Sequence, residues 1–222
     1  MSGAVVAVRA EYRDDVRAVL PDGIGPPAGV PPEMFAAAVD AYLAGCRVDM
    51  QSLARQLGVG RATLYRRAGN REQLLDQVIW WRARRMVASQ LLATTHLTGV
   101  RRIAAVVAGA LRAIERDLPL RAFIESEPDV ALRILTGSRS LAGHGTATAL
   151  ANLIDLERTR GAFDAHLDAA TLAYAIIRIS EGFLYADVIG DRALGVGKAI
   201  TVIHALLDGL NRSTAHVSQS CH

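Results

Sequence analysis

The chain has 222 residues, of which 51% are hydrophobic, enough for one large or two small domains with a sizeable core. Its net charge of +3 is too small to indicate a nucleic-acid partner by itself, and its two cysteines do not form the pattern of a disulfide framework. No signal peptide is evident, and charged residues interrupt the longest apolar region, near residues 172–189. We therefore expect a cytoplasmic protein without a membrane span.

Residues 1–31 are predicted to be an N-terminal arm and linker. A short helix could form before residue 20, but the sequence PDGIGPPAGVPP cannot continue it, because proline lacks the amide donor. The arginines at positions 9, 13 and 17 could reach a DNA minor groove. Neighbouring acidic residues cancel their charge, so the sequence favours a disordered, solubilising tail.

The next segment predicts a helix-turn-helix. Pro32 opens a first helix, and the stretch from Val48 to Arg71 then reads as two short helices and the start of another. Asp49 is placed to cap the second helix, and Gly58 follows its last turn. Asn70 is expected to cap the fourth helix, with a glutamine three residues later completing a capping box.

The alternative interpretation of this segment is an ordinary helical hairpin with a solvated basic face. The distribution of charge along the chain favours the helix-turn-helix. Residues 47–85 contain nine arginines against three acidic residues, a net charge of +6. Residues 86–222 contain thirteen basic and thirteen acidic residues, a net charge of zero. The positive excess therefore coincides with the predicted reading helices, as attraction to DNA phosphates requires.

The stretch LARQLGVGRATLYRRAGNREQLL resembles the TetR family of bacterial transcriptional regulators. Gly58-Val59, Thr63-Leu64-Tyr65 and Arg71 match the family pattern, whereas Gly60 replaces the usual serine cap and Ala68 replaces a usual phenylalanine. The residues at 65, 66, 69 and 71 are similar to those of the QsdR-type subset. The resemblance implies an all-α fold, with a three-helix helix-turn-helix head at residues 32–88 and a helical-bundle body at residues 89–222 for ligand binding and dimerisation.

A regulator of this kind is expected to bind a pseudo-palindromic operator in double-stranded DNA as a homodimer, to act as a repressor, and to be released by a small hydrophobic or amphipathic effector. The QsdR-type likeness points to lactone-like or acyl compounds. The second helix of the motif enters the major groove. We assign Arg61, Thr63 and Arg66 to base edges and Ala62 to a thymine methyl group. Phosphate contacts are assigned to Ser52, Tyr65, Arg67 and Arg71, and with weaker support to Arg47.

The body is predicted to be helical, because no segment shows sustained strand alternation. A glycine-rich loop is expected at residues 137–145, followed by helices at about 146–160, 164–189 and 195–211. The last helix has an apolar face too wide for one neighbour within the chain. It predicts a homodimer interface built from the last two helices, with plain core packing as the alternative.

The predicted helix at residues 164–189 carries a row of polar side chains, the polar seam, which predicts an effector pocket. Tyr174, Arg178, Glu181 and Tyr185 recur at helical spacing on a mostly apolar helix, and Trp81 and Phe123 are expected to supply the apolar wall. The alternative is a surface ion pair between the charged residues of the seam.

Enzyme signatures are missing from the sequence. The histidines lack metal-ligand spacing, and neither a nucleophile elbow nor a dinucleotide fingerprint occurs, so we expect no metal site, no cofactor and no enzymatic activity. Two rival hypotheses remain. One is a small-molecule binding protein whose degenerate head binds no DNA, and the other is an α-helical enzyme that uses Arg178 and Glu181.

Overall fold

A computed structural model describes residues 13–137, 139–189 and 195–217, with side chains up to residue 184 in the second range and residue 211 in the third. These ranges contain helices and no strand, which confirms the all-α prediction. Residues 13–19 are helical. The helices that follow are α1 Pro32–Leu43, α2 Met50–Gln56, α3 Arg61–Ala68, α4 Arg71–Ala93, α5 Gly99–Glu115, α6 Leu118–Ser126, α7 Pro128–Thr136, α8 Leu141–Thr159, α9 Ala169–Ile189 and α10 Val196–Val217. None of the described helices is long and apolar enough to cross a membrane.

The chain divides into two compact units. The head unit comprises Ile24–Arg85 and Arg116–Thr146. The body unit comprises the described parts of Met1–Gly23, Met86–Glu115 and Ala147–His222. The division falls within α4 and within α8, and it groups α6 and α7 with the head unit. The proposed domain boundary between residues 88 and 89 remains a prediction.

The core of the head unit forms where α1 packs against α2, α3 and α6. Pro32 begins α1, where the missing amide hydrogen of proline costs no hydrogen bond. Leu53 of α2 and Leu64 of α3 point inward and are at most 3% exposed. The inner face of α1 and the first turns of α4 complete this core with Met34, Phe35, Ala38, Tyr42, Leu74, Leu75 and Val78.

Local capping signals in the head unit form as the sequence predicts. The Asp49 carboxylate accepts a hydrogen bond from the Ser52 amide at 2.7 Å, and Gly58 leaves α2 with φ +63°. At the start of α4 the Asn70 and Gln73 side chains each accept from the other residue's amide at 2.8 Å. These bonds confirm the predicted capping box.

Helix α8 begins earlier than predicted. The expected glycine-rich loop at residues 137–145 is shortened, because α8 starts at Leu141. The Asp76 carboxylate of α4 accepts hydrogen bonds from the amides of Leu141, at 2.7 Å, and Ala142, at 2.9 Å. It therefore caps a helix from which it is separated by more than sixty residues of sequence.

In the body unit, α10 packs against α5 and α9. Ala199, Ile203 and Leu207 form the buried stripe of α10 and are at most 1% exposed. Val202 lies on the flank of this stripe and is 42% exposed. The apolar face of α10 is therefore wider than the part that is covered by the described residues of the chain.

Residues 13–20 differ from the predicted solubilising tail. Val19 and Leu20 are buried in the body unit, at 1% and 2% exposure. The Asp15 carboxylate pairs with Arg102, at 2.6 Å, and with Arg160, and Arg102 also donates to Glu157 at 2.9 Å. This buried charge network fastens the segment to the unit. Arg9, one of the three arginines proposed for the minor groove, lies outside the described residues.

Candidate nucleic-acid interface

Helix α3 exposes the residues predicted to read DNA. Leu64 and Ala68, one turn apart, are at most 2% exposed and fix the helix on the core of the head unit. The predicted residues Arg61, Ala62, Tyr65, Arg66 and Arg67 are exposed, and Thr63 is half-buried. The helix contains three arginines and no acidic residue, so its free surface is positively charged.

The first turn of α3 has no side-chain cap. Gly60 occupies the N-cap position with φ −68° and ψ 144°, and it contributes no side-chain hydrogen bond. The amide hydrogens of the first turn and the positive end of the helix dipole therefore remain available to an anion. Both favour contact with a phosphate group.

A side chain of α2 that the sequence did not single out contacts the first residue of α3. The Arg61 guanidinium donates to the Gln51 side-chain oxygen at 2.7 Å. Nearby, the predicted phosphate contact Ser52 is exposed, and its hydroxyl accepts from Arg55 at 3.2 Å. The hydrogen bond from the Ser52 amide also holds the pKa of Asp49 below its usual range.

The Arg71 guanidinium binds two groups of the protein itself. Its Nε donates to the Val48 carbonyl at 2.5 Å, and one of its terminal nitrogens pairs with Glu127, between α6 and α7. Arg47 lies 3.8 Å from the same carboxylate, with its side chain 74% exposed. The two predicted phosphate contacts thus share one acidic partner, but the Arg71 side chain is only 20% exposed.

The predicted apolar wall of the effector pocket lies in the head unit. Phe123 is 7% exposed and packs edge-on against Tyr42, with ring centroids 6.1 Å apart. Trp81 makes a T-shaped contact with Phe35 at 5.6 Å. The Trp81 indole nitrogen and the Gln77 side-chain oxygen are buried without a hydrogen-bond partner. Such orphaned groups are rare in folded proteins and call for a partner.

The predicted polar seam lies on α9 in the body unit. Tyr174 is 60% exposed, the Arg178 guanidinium stacks over its ring at 5.2 Å, and Arg178 pairs with Glu181 at 3.0 Å. Burial raises the pKa of Glu181, and the charge of Arg178 partly offsets the rise. The two charges are three residues apart, and the side chain of Arg178 is 41% exposed and that of Glu181 14% exposed. The side chain of Tyr185 lies outside the described residues.

Comparison with known proteins identifies the family. Residues 98–208 match the model of a tetracyclin repressor-like C-terminal domain, which accounts for half of the chain. The structure is similar to that of the transcriptional repressor QsdR of R. erythropolis, from the TetR family, with a TM-score of 0.71 and 30% sequence identity. That match covers 79% of this chain and 92% of the QsdR chain. The protein belongs to the TetR family. The sequence matches no curated protein.

Membership of the TetR family makes the protein a transcriptional regulator with an N-terminal helix-turn-helix, as the sequence predicted. The match to QsdR also extends the assignment beyond the body, because it covers most of both chains. In the described part of the chain, no group of histidine, cysteine or acidic residues is arranged to hold a metal ion.

Sequence reasoning did not identify Gln51 or Glu127 as members of the site. Gln51 has no distinctive motif, and its partner lies ten residues along the chain in another helix. Glu127 precedes a proline that starts α7, which marks a helix boundary but does not reveal a contact with Arg71.

Proposed function

We propose that this TetR-family protein binds a pseudo-palindromic operator as a homodimer and represses transcription until a small hydrophobic or amphipathic effector releases it. The observation that carries the proposal is the surface of α3, where Arg61, Arg66 and Arg67 are exposed on a helix anchored by buried residues. A helix presented in this way fits the DNA major groove. The description of QsdR as a repressor supports the direction of regulation.

The proposed contacts divide into two kinds. Arg61, Thr63 and Arg66 face base edges, with Ala62 against a thymine methyl group. Tyr65, Arg67, Ser52 and Arg47 face phosphates. The position of Arg71 supports a different role from the one proposed from the sequence, because its side chain is only 20% exposed and two of its donors bind Val48 and Glu127. We assign it to holding the start of α4 in place.

Two copies of the chain would pair through α9 and α10. Val202 is exposed and Leu206 half-buried on the flank of α10, and Tyr174 is exposed on α9. Apolar side chains left open along two long helices favour a self-complementary contact between identical subunits. A dimer would place two α3 helices at half-sites about 34–36 Å apart, the spacing of successive major grooves.

We place the effector against α4, near Trp81. The buried indole nitrogen of Trp81 and the side-chain oxygen of Gln77, four residues earlier on α4, provide one donor and one acceptor without partners, and Trp81 contacts the ring of Phe35. This pair suits a molecule with one polar group and an apolar chain, such as a lactone or acyl compound. Fluorescence titration of a Trp80→Phe variant with lactones of increasing chain length tests the assignment, and an emission of Trp81 unchanged by every lactone would argue against it.

Operator binding is tested by selecting duplexes from a random library with the full-length protein and measuring mobility shifts. We expect a palindromic preference that tightens binding over random duplexes about 10³-fold or more. Arg61→Ala should lose about 1–3 kcal/mol of discrimination at one base position per half-site. A protein that selects no sequence would instead support the rival hypothesis of a ligand-binding protein with a degenerate head, which the uncapped Gly60 keeps open.

A further inference from the structure

The contact between Gln51 and Arg61 joins the two helices of the motif at the surface that faces DNA. Arg61 is the first residue of α3, and Gln51 lies in the first turn of α2. The Arg61 guanidinium donates to the Gln51 side-chain oxygen at 2.7 Å, and both side chains are exposed. Because both residues are open to solvent, the bond contributes little to the stability of the folded head unit.

Both helices that carry this pair are fixed independently of it. Met50 and Leu53 bury α2 in the core, and the Asp49 cap closes its first turn. Leu64 and Ala68 bury α3. The backbones of the two residues are therefore held in place by other groups. What the hydrogen bond restricts is the set of rotamers open to the long Arg61 side chain.

Hydrogen-bond chemistry fixes how the pair is oriented. A guanidinium has only donors, so Gln51 must present its oxygen to Arg61. The amide nitrogen of Gln51 then points elsewhere and keeps two donors for a phosphate oxygen. Arg61 has five N–H donors and uses one here, which leaves enough for a bidentate pair with the O6 and N7 atoms of a guanine.

We propose that Gln51 is a positioning residue for base recognition, which holds the Arg61 guanidinium in the orientation that reads a guanine while its own amide nitrogen binds the DNA backbone. The proposal rests on the proposed function, since it requires that α3 enters the major groove. It adds a specificity determinant on α2, outside the helix that reads the bases.

The test uses the full-length protein and the duplex selected above. Arg61→Ala first identifies the base pair that Arg61 reads. At that position, a base substitution weakens binding of the wild-type protein but not of the Arg61→Ala variant. Gln51→Ala should then lower discrimination at that base pair about 3- to 10-fold, the effect of one lost hydrogen bond, and leave the other positions unchanged. In the Arg61→Ala background, Gln51→Ala should cause no further loss of discrimination at that pair.

Gln56→Ala is the matched control, because Gln56 is also an exposed glutamine and lies at the other end of α2. It should leave discrimination unchanged, and thermal unfolding should show that both variants fold. The inference is overturned if Gln51→Ala preserves discrimination, or if its effect persists without Arg61. These results differ from failure of the proposed function, in which the wild-type protein itself selects no duplex.

Discussion

Nine arginines lie between residues 47 and 85, and their surroundings divide them by role. Those on α3 point into solvent, as a DNA-binding surface requires. Others bind the protein: Arg82 pairs with Asp117, at 2.5 Å, and the buried Arg84 donates to the Gly25 carbonyl at 3.0 Å. Net charge locates the head, but hydrogen bonding decides which guanidinium groups remain available to phosphates.

Arg71 provides a test of this division. Arg71→Ala removes the bonds to the Val48 carbonyl and to Glu127, whose side chain is only 14% exposed. We expect the head unit to lose about 1–3 kcal/mol of stability, because a partly buried carboxylate and a carbonyl lose their donor. Urea unfolding measures the loss. Operator affinity should fall, with little change in the slope of log affinity against log salt.

Arg67→Ala is the matched comparison, since Arg67 is exposed on α3 and is proposed to bind a phosphate. It should leave the free energy of unfolding in urea within about 0.5 kcal/mol of wild type and reduce the salt slope by about one unit. If Arg71→Ala reduces the salt slope as much as Arg67→Ala does, then Arg71 binds phosphate as the sequence first suggested.

At the scale of helices, the sequence revealed the caps that are local and missed those that are distant. Asp49 and Asn70 cap the helices that directly follow them, so their partners are readable three residues along the chain. Asp76 caps α8 across 65 residues, and Asp15 binds Arg102 across 87. No short window contains both partners of such contacts. The predicted loop at residues 137–145 and the predicted tail were therefore wrong in part.

The cap on α8 is testable by itself. Asp76→Ala leaves the amides of Leu141 and Ala142 without their acceptor, and it should cost about 0.5–2 kcal/mol of stability, as the loss of other N-caps does. Amide hydrogen exchange should show the first turn of α8 opening more often. Glu72→Ala, which removes an exposed partner of Arg133 from the same helix, should cost less than about 1 kcal/mol. Equal losses from both variants would contradict a capping role for Asp76.

At the scale of the whole chain, a charge network holds the N-terminal segment to the body unit. Arg102 is 2% exposed and Glu157 fully buried, so removal of Asp15 leaves a buried positive charge less well compensated. We expect Asp15→Asn to destabilise the protein by about 3 kcal/mol, measured by urea unfolding. Asp14→Asn, an exposed change at the neighbouring position, should have little effect. A small loss from Asp15→Asn would mean that the segment is not held by this network.

The same network gives an acid dependence of stability. Burial raises the pKa of Asp15, but hydrogen bonds from Arg160 and Arg102 outweigh it and hold the pKa below its usual range. Its stabilising contribution is therefore present above the pKa of an unfolded aspartate, about 4, and is lost as the pH falls through the lower folded value. Urea midpoints of Asp15→Asn should fall less steeply than those of wild type below about pH 4. Parallel curves would exclude Asp15 as the titrating group.

Pairing of two chains decides whether α3 can reach successive grooves. The buried stripe of α10 leaves Val202 exposed on one flank and His204 exposed on the other. Val202→Glu should place two negative charges in the proposed interface and shift the protein from dimer to monomer in sedimentation experiments. Operator affinity should fall about 10²-fold or more, since a single head cannot hold both half-sites at once.

His204→Glu is the matched control, because it adds the same charge to the same helix at an exposed position on the flank opposite Val202. It should remain dimeric and bind the operator as wild type does, apart from the small effect of charge. A His204→Glu protein that dissociates while Val202→Glu stays dimeric would place the interface on the flank of α10 that carries His204. If both variants stay dimeric, the contact lies elsewhere, and the exposed flank of α10 does not set the spacing of the two reading helices.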